Sequence, residues 1–155
     1  MEISQDFKEW LACLNDTKTE YVVVGGYALA HHGCPRFTGD IDVLVRPTVE
    51  NAERVLEALR RFGFGGLKIT IEDLTEPGRM VQLGFPPQRI DILTRIDGVA
   101  WEFAAASPSV ADLAGLRVPF ISREALIANK RATGRLKDLA DVEALEGRAG
   151  RKPGA

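Results

Sequence analysis

Three aspartates and a pair of glycines have the types and spacing to do chemistry in this chain. Asp40 and Asp42 stand one residue apart in Thr38-Gly39-Asp40-Ile41-Asp42-Val43-Leu44-Val45. Side chains alternate across a strand, so both carboxylates point to one side while Ile41 and Val43 point to the other, into a core. Two such charges raise each other's pKa unless a cation neutralises them, which makes the pair a divalent-metal address. A hydrated sheet edge is the other reading of the same pattern. Asp91 lies in Arg89-Ile90-Asp91-Ile92-Leu93, whose apolar residues imply a buried strand where an unpartnered carboxylate would be costly. If that strand lies beside the first, three acids define a site for two Mg²⁺ ions, about 3.5 to 4 Å apart, clamping the attacking and leaving oxygens of a phosphoryl transfer. Hard oxygen ligands favour Mg²⁺ or Mn²⁺. Val24-Gly25-Gly26 places a glycine pair where a buried strand turns into a helix, which lets backbone N–H groups approach a phosphate closely; tight packing alone also uses such pairs.

Weaker candidates surround these. Arg36 could fork onto a phosphate or pair with Asp40 or Asp42, and Thr38 could offer a hydroxyl to a ligand or close a turn. His31 and His32 are adjacent on a helix, so at most one can join a site, and a surface or helix-end role accounts for them more simply. Lys130/Arg131 and Arg135/Lys137 read by default as solvated helix faces.

These residues need a scaffold. Ile3, Phe7, Trp10, Leu11 and Leu14 recur at helical spacing and predict a cover helix over residues 3 to 15. Tyr21 to Val24 reads as a buried strand, Tyr27 to His32 as a helix and Phe37 to Val45 as the strand carrying the acids. Thr48 caps a helix running to about Phe62 with Val55, Leu56 and Leu59 as its stripe, ended by Gly63, Gly65 and Gly66. Leu67 to Ile71, Met80 to Phe85 and Arg89 to Leu93 read as an antiparallel meander turned at Glu76-Pro77-Gly78 and Pro86-Pro87. A helix around Trp101 to Ala106 and a strand at Leu116 to Phe120 follow. Ser122 begins a helix that Gly134 breaks, and Leu136, Leu139, Val142 and Leu145 mark the buried stripe of another.

The bulk properties bound the answer without naming a partner. A chain of 155 residues with 45% hydrophobic and 27% charged residues fits one globular domain, 1–147, followed by a disordered tail, 148–155. The net charge of −2 argues against a nucleic-acid-coating surface, and no stable DNA binding is expected. From Leu116 onward, nine Lys and Arg against five Asp and Glu permit a local polyanion site. No signal core or membrane-length apolar run is present, and Cys13 and Cys34 have neither CxxC nor zinc spacing, so a cytoplasmic protein with reduced thiols is expected.

Gly25-Gly26, thirteen residues, then Asp40-Ile41-Asp42, with Asp91 on a later strand, resembles the minimal nucleotidyltransferases of the DNA polymerase β superfamily. The stretch from Val24 through Asp42, and Leu126-Ile-Ala-Asn-Lys130 with Asp138 behind it, is similar to the AbiEii-type, toxin–antitoxin associated branch. The resemblance implies an α+β single domain of the polymerase-β-like fold, a mixed central sheet flanked by helices with further helices at the C-terminus. It implies that Asp40 and Asp42 bind both metals and Asp91 the one activating the acceptor hydroxyl. Gly25 and Gly26 would lie against an NTP, Lys130 would contact its triphosphate and Asp138 would take an orienting role at the nucleotide. Many superfamily members carry Gly-Ser where this chain has Gly25-Gly26, so a hydroxyl contact is missing here. The implied reaction moves an NMP from an NTP to a hydroxyl of a macromolecule, a tRNA 3′ end or a protein side chain, with a cognate toxin or antitoxin as partner. A non-catalytic NTP-binding or antitoxin-like module on the same fold is the rival expectation.

Overall fold

The computed structural model describes residues 3–35, 38–85 and 88–147. The expected turn at Pro86-Pro87, the start of the acid-bearing strand at Phe37, Arg36 and the basic tail 148–155 lie outside the described residues.

Strand β1 (Tyr21–Val24) is buried along its whole length, as four consecutive apolar, mostly β-branched residues require. It pairs antiparallel with β2 (Asp40–Val45), which pairs parallel with β4 (Gln88–Leu93). β3 (Met80–Phe85) closes that side as an antiparallel neighbour of β4. On the other flank β6 (Leu116–Phe120) runs parallel to β1 and carries β5 (Ser109–Leu113) antiparallel to it. The result is a mixed six-stranded sheet in the order β3-β4-β2-β1-β6-β5, the α+β arrangement expected.

Six α-helices accompany the sheet among the described residues: α1 (Gln5–Asp16), α2 (Gly25–His31), α3 (Val49–Leu59), α4 (Trp101–Ala106), α5 (Arg123–Thr133) and α6 (Leu136–Gly147). Ser4, Thr48 and Ser122 cap α1, α3 and α5 by accepting the N–H of Phe7, Asn51 and Ala125. Ile41, Val43 and Val45 join Phe7, Trp10, Leu11, Leu14, Val55 and Leu59 in one core, so one face of β2 is committed to packing and the other is free for polar residues. Buried Asn51 fixes α3 to one end of the β1–β2 pair, where β1 begins and β2 ends. Its Oδ1 accepts from Glu20 N at 2.7 Å, and its Nδ2 donates to the carbonyls of Glu20 and Arg46 at 2.9 and 3.0 Å.

Several expectations need correction. Leu67 to Ile71 is not a strand. Thr70 and Asp73 exchange backbone-to-side-chain hydrogen bonds that open a 3₁₀ turn at Glu72–Leu74, and Leu67 is exposed. The meander therefore reduces to the β3–β4 hairpin. The α3 helix ends at Leu59 and continues as a π turn, Arg60–Phe64, broken where Gly63 takes φ 101°. β5 was not expected at all; a two-residue turn at Ala114 and Gly115, both with positive φ, joins it to β6 as a hairpin. Of the two alternatives for His31 and His32, the helix end is the one found, with both side chains buried rather than on the surface. His31 stacks on Phe120 with its Nε2 2.8 Å from Ser109 Oγ, and His32 Nε2 donates to the Ile121 carbonyl at 2.7 Å. Both sit at the end of α2, pinning it to the β5–β6 hairpin. Finally, α6 buries Asp138, Asp141, Val142 and Leu145, while Leu136 is 88% and Leu139 45% exposed.

Candidate active site

The parallel pairing of β2 with β4 sets Asp42 directly opposite Asp91 and Asp40 opposite Arg89. Partners in a ladder share a face, so Asp40, Asp42, Asp91 and Arg89 all project from the side of the sheet that Ile41 and Val43 leave. The three aspartates singled out by spacing are thus brought together, Asp91 buried and Asp40 and Asp42 half-buried.

Gly25 completes this group from β1. Val24 is the ladder partner of Asp42, and the chain turns at Gly25 with φ 68° directly against the Asp42 carboxylate, where a Cβ would collide with Oδ2. Only glycine fits both the left-handed backbone and that contact. Gly26 is bounded by Thr38: a Cβ there would lie 3.0 Å from Thr38 Cβ and 3.1 Å from its hydroxyl. The Thr38 hydroxyl itself closes a turn, donating to the Asp40 carbonyl at 3.1 Å and accepting from Asp40 N at 3.3 Å.

The electrostatics follow from this crowding. Burial pushes the Asp42 carboxyl up most, a hydrogen bond and like charge from Asp91 push it further, Asp40 adds to this and Arg89 opposes it. The net effect raises it from 3.8 to about 7. Arg89 was missed by the sequence reading, although it stands two residues before Asp91 and so shares its face. Its Nε donates to Asp91 Oδ1 at 2.9 Å, and its Nη2 to Asp91 Oδ2 at 3.3 Å and Asp40 Oδ2 at 3.1 Å.

The donor chemistry fits a divalent cation: three carboxylates share one sheet face, and one of them is pushed towards its neutral form by burial and like charge, which a bound cation would offset. As the side chains stand, however, no three acidic, His or Cys residues among those described are gathered as a ligand set.

Lys130 and Asp138 form a second ionic group, between α5 and α6. Lys130 Nζ lies 3.4 Å from Asp138 Oδ1 and 3.2 Å from Asp141 Oδ2. Asp138 is fully buried, and its other oxygen accepts from the Thr133 hydroxyl at 2.7 Å and Arg135 Nε at 2.6 Å. Burial alone would raise its pKa, but Thr133, Arg135 and Lys130 together outweigh it and hold the carboxyl down to about 2. Lys130 is therefore not the solvated helix residue of the default reading; its side chain is 12% exposed.

The fold is shared with known enzymes. The chain superposes on the lincosamide antibiotic adenylyltransferase LnuA with TM-score 0.61 and 16% identity, covering 95% of this chain and 98% of the other. It matches a putative nucleotidyltransferase from Thermotoga maritima with TM-score 0.56 and 19% identity over 91% and 88% of the two chains. An antigenic nucleotidyltransferase-like protein from Paracoccidioides brasiliensis gives 0.56 and 18% over 96% and 78%. No curated protein matches the chain in sequence. The fold is that of the polymerase-β-like nucleotidyltransferases. Within it, residues 11–151 match the family described as "Nucleotidyl transferase AbiEii toxin, Type IV TA system", and the chain belongs to that family. It is a nucleotidyltransferase. Among the described residues, no helix is long and apolar enough to cross a membrane.

Proposed function

We propose that this nucleotidyltransferase works with Mg²⁺, Mn²⁺ substituting, and moves an NMP from an NTP to a hydroxyl on a macromolecule in the cytoplasm. The observation that carries the reading is the in-register pairing of Asp42 with Asp91, with Asp40 on the same face, in a chain of this family. Asp40 and Asp42 would hold both ions and Asp91 the one nearer the acceptor. Bound there, the ions supply neutralisation of the charge that gathers on the phosphates. Asp91 orients the acceptor oxygen for in-line attack on the α-phosphate; a P–O bond forms to that oxygen, its proton is lost, and the bond to pyrophosphate breaks. Gly25 and Gly26 let the triphosphate lie close to the main chain, with Arg36 and Thr38 on the segment that leads into the acids. Lys130 meets the triphosphate, aimed by Asp138, whose contact at 3.4 Å supports the orienting half of that role. Positioning and charge neutralisation suffice for such a step, which suits a small scaffold. The acceptor is a tRNA 3′ end or a side-chain hydroxyl of a cognate toxin–antitoxin partner, the context that the family description names.

The test is transfer of label from each α-labelled NTP, with Mg²⁺, to total tRNA or to co-purified protein, beside Asp42→Ala. Transfer is expected to fall about a hundredfold or more in the variant. Tight NTP binding with no transfer to any acceptor would instead establish the non-catalytic, antitoxin-like module.

A further inference from the structure

Asp91 spends both of its oxygens, and Asp40 one, on a cation that the chain itself supplies. The Arg89 guanidinium lies in the fork of Asp91, at 2.9 and 3.3 Å, and reaches Asp40 at 3.1 Å. This accounts for two observations together: three carboxylates share one face, and among the described residues they are not arranged as a ligand set. We propose that Arg89 is the built-in counter-ion of the resting site and competes with the divalent cation for Asp91 and Asp40, so the site loads only when the guanidinium turns out of the fork. The proposal rests on the metal-dependent reading of the function.

The choice of residue and its surroundings support an exchange. Arginine stays charged at any pH the protein meets and matches a carboxylate with paired N–H groups, which lysine cannot do, so it holds the acids together over the whole working range. It also has a way out. Its side chain is 29% exposed, and its ladder partner on β3 is Gly84, so no side chain flanks it from the neighbouring strand position on the side away from Asp40. Asp42 makes no hydrogen bond to Arg89 among those described; its own partner is Asp91. The guanidinium fills the space between Asp40 and Asp91, so a divalent ion seated between those two acids would have to displace it.

The experiment is Mn²⁺ binding to the nucleotide-free protein, read by electron paramagnetic resonance, for the wild type, Arg89→Gln and Arg89→Lys. Arg89→Gln is expected to bind Mn²⁺ about tenfold more tightly than wild type, with Arg89→Lys in between. A merely structural Arg89 would give the opposite, because loosening the acids weakens the site. Unchanged or weaker binding in folded Arg89→Gln overturns the proposal, as does the absence of Mn²⁺ binding in every form. If circular dichroism shows that Arg89→Gln does not fold, the wild type decides. Its Arg89 side-chain Nε–H resonance, assigned by its loss in Arg89→Lys, should shift as Mg²⁺ is added; a resonance that stays in place while Mg²⁺ binds overturns the proposal. Neither measurement uses an NTP or an acceptor, so a failure to transfer label is distinguishable from a failure of this exchange.

Discussion

Gly25 packs so closely on the Asp42 carboxylate that no side chain can be added at position 25 without displacing it. Gly25→Ala adds a Cβ against Asp42 Oδ2 at a backbone angle of φ 68°, so we expect a loss of about 1 to 3 kcal/mol in urea unfolding, together with loss of label transfer. Gly26→Ser is milder, since the added atom meets the side chain of Thr38 at 3.0 to 3.2 Å and that side chain can shift. The absent serine hydroxyl is thus matched by a threonine filling the same space. The three aspartates were legible in the sequence because a period of two assigns faces without any tertiary knowledge. Arg89 obeys the same period, but its partners were not legible: they depend on β2 and β4 lying side by side, which neither strand's own residues reveal.

The α5–α6 pair shows where pattern reading failed at the level of elements. Leu136, Leu139, Val142 and Leu145 gave a helical stripe, but only Val142 and Leu145 are buried, and Asp138 and Asp141 turn inward beside them because Lys130, Thr133 and Arg135 offer Asp138 more than hydrocarbon could. Periodicity scores apolar residues and is blind to a buried ion pair that is fully partnered. Lys130→Met removes one partner and leaves Asp138 buried, so unfolding free energy should drop by about 3 kcal/mol in a urea titration at pH 7. The contribution of Asp138 is complete above its ordinary 3.8 and is lost as the pH falls through about 2. The strands with strong β-branched runs, β1, β2 and β4, were read correctly. β5 escaped because Ser-Val-Ala-Asp-Leu is weakly β-forming on its own and is held by pairing with β6.

Across the whole molecule, two buried groups pull stability in opposite directions with pH. Asp42 keeps in the folded state a proton that the unfolded chain gives up above 3.8, so its contribution falls as pH rises towards about 7. His31 behaves inversely. Burial, and then the charge of His32, push it down from 6.5 to about 4, so the unfolded chain takes up a proton that the folded one refuses, and stability rises with pH over that interval. His32 is pushed down by burial as well, so with a chelator present stability should rise with pH between 4 and 6.5 more steeply in Asp42→Asn than in the wild type and less steeply in His31→Gln, each measured by urea midpoint. The ladder that joins β2 to β4 has a consequence of a different kind. Neighbouring strands sit about 4.8 Å apart whatever side chains they carry, so the gap between Asp42 and Asp91 is a dimension of the peptide backbone. The ruler of this site is made of amide bonds. Residues around it can drift in identity without changing its length, and only a slip of the sheet itself would erase it, all at once.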